Sequence, residues 1–241
     1  MIDIHCHILP GIDDGAQDIA QSLALLEQMR DQGVQAAICT PHINPPAFNN
    51  ELSNIQACFA QNRKQLETSG VKLAFAAEVR VHADLPFQMN RIPLLKGHKP
   101  QGGSQDYLLL ELPTREYPVV TDMICEWLMD EGIQPIIAHP ERNHILQSST
   151  KFKQLKRKGL WFQLTAGSLL GDFGPSSQQA AHEMLELDAV ELVASDSHNL
   201  AYRPPKMQQA WQWLCEHYDS SLAHKLMCGN PEQISSRMFN D

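Results

Sequence analysis

Positive charge is what this 241-residue chain has least of: 19 lysines and arginines face 28 aspartates and glutamates, a formal net charge of −9. Sequence-independent binding to nucleic acid or to an anionic membrane depends on clustered positive charge, so both are disfavoured. The one basic stretch, Lys151 to Lys158 (KFKQLKRK), reads as a solvated helix face rather than a docking patch. No apolar run approaches the length a bilayer requires, and the first residues carry neither a basic n-region nor an apolar h-region. A cytoplasmic location without membrane insertion is expected. Six cysteines (Cys6, Cys39, Cys58, Cys125, Cys215, Cys228) are scattered without a C-x-x-C, in a chain too large to need stapling, and are expected to be reduced. Low-complexity tracts and linkers are also missing, which predicts one domain over residues 1–241.

Several catalytic signatures are absent too. There is no G-x-S-x-G elbow and no P-loop. A cysteine phosphatase needs an arginine six residues after its thiolate, and none of the six cysteines has one.

What is present is a repeated placement. Apolar runs recur at Met1–His5, Val34–Thr40, Val71–Glu78, Tyr107–Leu112, Gln134–His139, Trp161–Thr165 and Ala189–Ser195. Runs such as VQAAIC, YLLLEL and QPIIA suit strands buried on both faces. Between them, Ile19, Leu23, Leu26 and Met29 mark one helix face, and Leu52, Ile55, Phe59 and Leu66 another, with Ser53 and Gln56 spaced like a capping box. Alternating strands and helices predict βα units in a barrel or an open doubly wound sheet.

The ends of these runs carry the chemistry. His5 and His7 follow the first, His42 the second, and Glu78 ends the third. Glu111 lies near the end of the fourth, His139 ends the fifth, and Asp196 and His198 follow the seventh, while the sixth, QLTAG, offers no obvious ligand. In a parallel barrel all these ends share one face. With Asp14, five histidines and four carboxylates converge, enough for more than one ion. One strand-end histidine would be weak evidence, but alternate residues of an extended chain point the same way, so His5 and His7 can reach one ion. Asp3 and Asp13 could orient such ligands, and Asp13 could equally cap the first helix. The histidines at 82, 98, 144, 182, 217 and 224 fall outside this register, in helices or loops.

DIHCHILPGIDDG, TPH, the strand-ending Glu78, IAHPERN, TAGSLLG and SDSHNLAYRPP together resemble the polymerase and histidinol phosphatase superfamily. Within it they most resemble the manganese-dependent bacterial protein-tyrosine phosphatases of capsule and exopolysaccharide loci, the CpsB/CapC/YwqE group. The resemblance covers essentially the whole chain. It implies a distorted (β/α)₇ TIM-like barrel with three divalent ions in its mouth, manganese first and iron or zinc as alternatives. By residue matching, His5, His7, Glu78 and Asp196 would hold one ion; Glu78 would bridge to a second shared with Glu111 and His139; Asp14, His42 and His198 would hold the third. Arg142 and Arg203 match positions associated with phosphate binding and catalysis. The implied reaction is attack of a metal-bound hydroxide on phosphotyrosine, the implied partner the tail of a membrane-bound autokinase. The alternatives are histidinol-phosphate phosphatase on the same scaffold, or a non-catalytic binding module.

Overall fold

Each apolar run becomes a strand, though two of them bend. The computed structural model describes residues 1–239. Its strands are β1 (Ile2–Cys6), β2 (Ala36–Cys39), β3 (His42–Ile43), β4 (Lys72–Phe75), β5 (Glu78–Arg80), β6 (Leu95–His98), β7 (Ser104–Glu111), β8 (Ile133–Ala138), β9 (Trp161–Thr165) and β10 (Leu192–Ala194). The helices are α1 (Ile19–Asp31), α2 (Leu52–Leu66), α3 (Leu85–Gln88), α4 (Thr121–Asp130), α5 (Ser149–Arg157), α6 (Ala166–Leu169), α7 (Pro175–Glu186), α8 (Met207–His217), α9 (Ser220–His224) and α10 (Asn230–Ser235).

Hydrogen bonding divides the strands into a sheet ordered β1-β2-β4 and another ordered β10-β9-β8-β7-β5-β3. The division is one of bending. The chain of β2 continues into β3, and β4 into β5; Ala76 N donates to Cys39 O (2.9 Å) and Glu78 N to Pro41 O (3.2 Å), so the two staves stay adjacent across the bend. Seven parallel staves thus follow one circuit. Its seam lies between β1 and β10, where a Cys6–Ser197 bridge and the bonds His7 N to Ser197 O (2.9 Å) and Asp196 N to His5 O (2.8 Å) replace a ladder. The bend and the seam are the distortions of the (β/α)₇ barrel. Strand β6, antiparallel on β7, was not expected from its sequence, and it places His98 in a strand.

Alternation sorts the side chains. Ile4, Ile38, Ala74, Ala76, Leu109, Ile136, Ala138, Leu192 and Ala194 pack together inside the barrel, joined from below by Ile234 of α10. Ala37, Cys39, Leu108, Leu110, Ile137, Phe162, Leu164 and Val193 point the other way, into the larger cluster under the helices. The period of two then dictates what lies above the inner apolar layer: Glu78 and Arg80 above Ala76, Glu111 above Leu109, Asp196 above Ala194, and Gln163 between its outward neighbours Phe162 and Leu164.

Local details correct two expectations. The box opening α2 uses Glu51, whose N–H donates to Asn54 Oδ1 (2.6 Å), rather than Ser53 and Gln56. Helix α1 is capped by Asp18, which accepts from Gln21 N at 2.9 Å, leaving Asp13 free for another use. The basic run of α5 is largely neutralised by neighbours, Lys158 reaching Glu126 at 2.9 Å, Lys151 reaching Asp122 at 3.4 Å, and Lys156 pairing with Glu191. All six cysteines are free thiols. No helix among the described residues is long and apolar enough to cross a membrane.

Candidate metal centre

The polar layer gathers the residues that the strand ends offered. A register slip in β1 between Asp3 and Cys6 turns His5 inward although Ile4 also faces the interior, the re-aiming a bulge provides. The slip sends Cys6 outward, where its thiol lies 3.3 Å from Ile38 O and burial pushes its pKa well up, so it takes no part in the centre. His139 and Asp196 both adopt left-handed backbone angles, φ 33° and 50°, at the ends of β8 and β10. Such conformations cost energy in non-glycine residues and persist where the surroundings enforce them.

Four donor atoms stand at the middle. His5 Nε2 lies 3.3 Å from both Glu78 Oε2 and Asp196 Oδ1, and His7 Nε2 lies 3.4 Å from the same two oxygens. The two Nε2 atoms are 3.2 Å apart. A tetrahedron of ligands on bonds of ~2.1 Å has edges of roughly 3.4 Å, so this spacing is that of a cation's ligand cage. Tautomers agree: His5 Nδ1 is 2.7 Å from Gln163 Oε1, and His7 Nδ1 is 2.7 Å from Asp13 Oδ2. Each Nδ1–H therefore donates outward and each Nε2 lone pair faces the centre.

Two further groups flank this one. His42 Nδ1 is 2.9 Å from Glu78 Oε2 and 3.8 Å from Glu111 Oε2, and on its other side His42 Nε2 is 3.3 Å from Asp14 Oδ1. His198 Nε2 is 3.4 Å from that same oxygen, its Nδ1 donating to Asp196 O at 3.0 Å. The donor sets within mutual reach are His5, His7, Glu78, Asp196; His7, Asp14, His42, His198; and His42, Glu78, Glu111. His139 reaches Glu78 Oε1 at 2.8 Å without joining a set. All nine expected residues thus meet in one place, with His7, His42 and Glu78 each shared between two sets.

Four buried polar atoms of the site, Glu78 Oε2, Asp196 Oδ1, His42 Nδ1 and His198 Nε2, have no partner in hydrogen-bonding geometry, and Glu111 Oε2 meets only the Arg80 guanidinium. Each atom left without a hydrogen bond costs ~1–3 kcal/mol, and four aimed at one region fit divalent cations.

Arginines set the charge balance. Arg142 Nη1 donates to Asp196 Oδ2 at 2.5 Å, and Arg203 pairs with the same oxygen. Burial works to raise the Asp196 pKa, but the two guanidinium groups prevail and hold it well below the usual carboxylate range. Glu111 behaves oppositely: burial and the Glu78 carboxylate push it up to about 7, although Arg80 Nη2 lies 2.8 Å away. Burial, assisted by Arg142 at His139 and by His7 at His198, lowers both imidazoles to about 4, so both are neutral donors near pH 7.

Comparison with known proteins decides the family. The family model described as capsular polysaccharide synthesis, CpsB/CapC, matches residues 1–236. The chain belongs to the CpsB/CapC family. Among relatives of this CpsB/CapC chain, the tyrosine-protein phosphatase YwqE of Bacillus subtilis (strain 168) is 33% identical, over 94% of this chain and 88% of the relative. The tyrosine-protein phosphatase CpsB of Streptococcus pneumoniae is 31% identical over 97% of this chain and 98% of its own length. A chain from the crystal structures of those two proteins, described as metal-dependent tyrosine phosphatases, superposes with a TM-score of 0.89 at 32% identity, covering 99% of this chain and 95% of its own. An organophosphorus hydrolase variant from Deinococcus radiodurans shares the fold at a TM-score of 0.61 and 13% identity, covering 97% of this chain and 92% of its own.

Three side chains of this CpsB/CapC fold escaped the reading of strand ends. Gln163, on the sixth run, supports His5; the inward parity it shares with Trp161 was the available signal. Arg80 stands two residues beyond Glu78 on the same face and meets Glu111. Phe173 lies under Arg142, ring centroid 4.6 Å from the guanidinium carbon. Gln163→Leu is expected to keep the fold and weaken cation binding by ~10–100-fold, because His5 loses the acceptor that fixes its tautomer. Calorimetric titration of the cation-free protein with Mn²⁺ checks this.

Proposed function

We propose that this chain is a phosphatase acting on protein phosphotyrosine, with three divalent cations, manganese foremost, held by the nine side chains at the barrel mouth. His5, His7, Glu78 and Asp196 would hold one cation; Glu78, Glu111 and His139 would hold a second; Asp14, His42 and His198 would hold the third. The observation that carries this reading is the cage of four donors in which each histidine nitrogen lies 3.2–3.4 Å from the other three, flanked on Asp196 by two arginines. When bound, the cations supply charge neutralisation for a phosphoryl group and lower the pKa of water toward ~7.

The protein's own groups do the rest. Arg142 and Arg203 spend one nitrogen each on Asp196 and keep other N–H donors for phosphoryl oxygens, which a guanidinium fork matches in pairs. Asp13 accepts from His7 Nδ1, from Gly15 N (2.9 Å) and from His42 N (3.1 Å), tying two donor residues to one loop. A phenolate leaving group, with a conjugate acid near pKa ~10, departs with little proton assistance.

The family's place in capsular polysaccharide synthesis supports, as protein substrate, the tail of a membrane-bound autokinase met on the cytoplasmic side. Turnover of a phosphotyrosine peptide and of L-histidinol phosphate, with Mn²⁺ and after chelation, tests the proposal. The peptide is expected to be preferred, and chelation to reduce its hydrolysis to background until Mn²⁺ is restored. Preference for the histidinol ester would overturn the substrate; turnover that survives chelation would overturn the cations.

A further inference from the structure

Large exposed apolar side chains are not scattered evenly over this molecule. Among the described residues, six of the eight large exposed apolar side chains, Phe87 (84% exposed), Val119 (96%), Met123 (60%), Ile145, Leu200 and Tyr202 (86%), lie on segments that follow a strand's C-terminal end, the rim that carries the donor cluster; Leu187 and Tyr218 lie at the C-terminal ends of α7 and α8. Apolar surface concentrated on one face marks an interaction site, where single exposed residues elsewhere would need no explanation.

One part of this rim is a formed groove. The loop after β10 turns back on itself, with an Asn199–Arg203 bridge and His198 N donating to Arg203 O at 3.0 Å. Its tip and α1 line an open groove of about 630 Å³, with Ala20, Ala24 and Leu25 on one side and Leu200, Ala201 and Tyr202 on the other. The polar groups at its edge are already engaged: Asn199 Oδ1 accepts from Tyr202 N (2.7 Å), and Asp18 caps α1. No lysine or arginine lines it. The groove therefore offers apolar contact and, through Asp18, repels acidic side chains.

We infer that this groove seats an apolar side chain of the polypeptide bearing the phosphotyrosine, two or three residues from the phosphorylated position. The inference rests on the phosphatase reading above. Continuity is the argument: the loop that forms one wall is stapled at its base to the donor His198 and to Arg203, so a peptide whose phosphate meets Arg203 runs directly onto the loop. Two or three extended residues span about 7–10 Å, and Leu200, Ala201 and Tyr202 stand one to three residues from Arg203 within the loop that the Asn199–Arg203 bridge closes. Apolar burial then discriminates among tyrosine sites that the phosphate contacts treat alike.

The test uses the Mn²⁺-loaded full chain, a Leu200→Ser/Tyr202→Ser variant, p-nitrophenyl phosphate, and matched phosphotyrosine peptides carrying leucine or serine two and three residues from the tyrosine. The unaltered enzyme is expected to show a KM about tenfold lower for the leucine peptide, the effect of burying one such side chain. The variant should lose that preference while keeping kcat for both peptides and kcat/KM for p-nitrophenyl phosphate. Equal KM values for the two peptides with the unaltered enzyme overturn the groove alone, as does a variant that loses p-nitrophenyl phosphate turnover in parallel. A dimer in sedimentation that the double substitution dissolves overturns it in favour of a second copy of the chain. Hydrolysis of no substrate by the unaltered enzyme overturns the phosphatase reading and the groove's role together.

Discussion

Substituting Asp196 with asparagine is expected to lower kcat/KM for an aryl phosphate by ~10³-fold or more and to strip the loaded enzyme of at least one cation, with a melting temperature shifted by only a few degrees. Asp196 faces two ways. Its Oδ1 lies 3.3–3.4 Å from the Nε2 atoms of His5 and His7, and its Oδ2 accepts from Arg142 and Arg203. Asparagine has the same volume but a single acceptor oxygen. If that oxygen turns to the arginines, an amide N–H₂ faces the donor cage and opposes a cation; if it turns to the cage, the N–H₂ faces two guanidinium groups. Removing one charge-stabilising donor from an active site typically costs ~10²–10³-fold. Losing an anionic ligand and misplacing two arginines together exceeds that. Metal content by mass spectrometry, steady-state kinetics and a thermal melt read the three parts separately. A variant with the parent's metal content and turnover within tenfold of it would remove Asp196 from the centre of the mechanism.

Such a residue was visible in the sequence because strand ends in a parallel barrel share a face, whatever the details of the strands. The details were less visible, for physical reasons. Nothing in IDIHC marks the register slip that turns His5 inward beside Ile4, because a bulge is set by the partner strand as much as by the strand itself. The bend at Ala76–Ala77 falls in a run whose hydrophobicity is unbroken, and His42–Ile43 is too short to carry a period. Strand β6, with Lys96, Gly97 and His98, has the composition of a loop and becomes a strand only through pairing with β7. Gln163 is not legible at a strand end because an amide is a poor ligand; its role is to accept the N–H hydrogen bond that fixes the tautomer of His5, and that role is assigned by a neighbour 158 residues away. Donor atoms are legible from residue type, while the groups that aim them depend on tertiary contacts.

Two glycines separate the centre's geometry from the barrel's stability. A Cβ on Gly15 would stand 2.1 Å from His7 O and 2.5 Å from His7 Cβ; a Cβ on Gly97 would stand 2.2 Å from Gln233 O and 2.5 Å from the Ile234 carbonyl carbon. In both cases backbone is the obstacle, so no side-chain rotation relieves it. Overpacking of this kind costs ~1–3 kcal/mol, which in a chain of this length lowers Tm by ~2–4 °C per kcal/mol. Gly15→Ala and Gly97→Ala are therefore expected to be comparably destabilised. Their chemistry should diverge. Gly15 lies in the loop where Ala16 N donates to His7 O (3.0 Å) and Gly15 N to Asp13 Oδ1 (2.9 Å). Opening it to admit a methyl group pulls Asp13 from His7 and carries Asp14 away from His42 and His198. A displacement of ~1 Å at such a site costs ~10²-fold in rate. Gly97 instead pairs with Gln105 near the start of β7, six residues before Glu111 and so about 20 Å from it along the strand, where β6 rests on α10. Turnover per folded molecule of Gly97→Ala, measured well below its Tm, should match the parent. Parental cation affinity in Gly15→Ala, or an equal loss of turnover in both folded variants, would mean that the loop from His7 to Ala16 does not set the position of the donors.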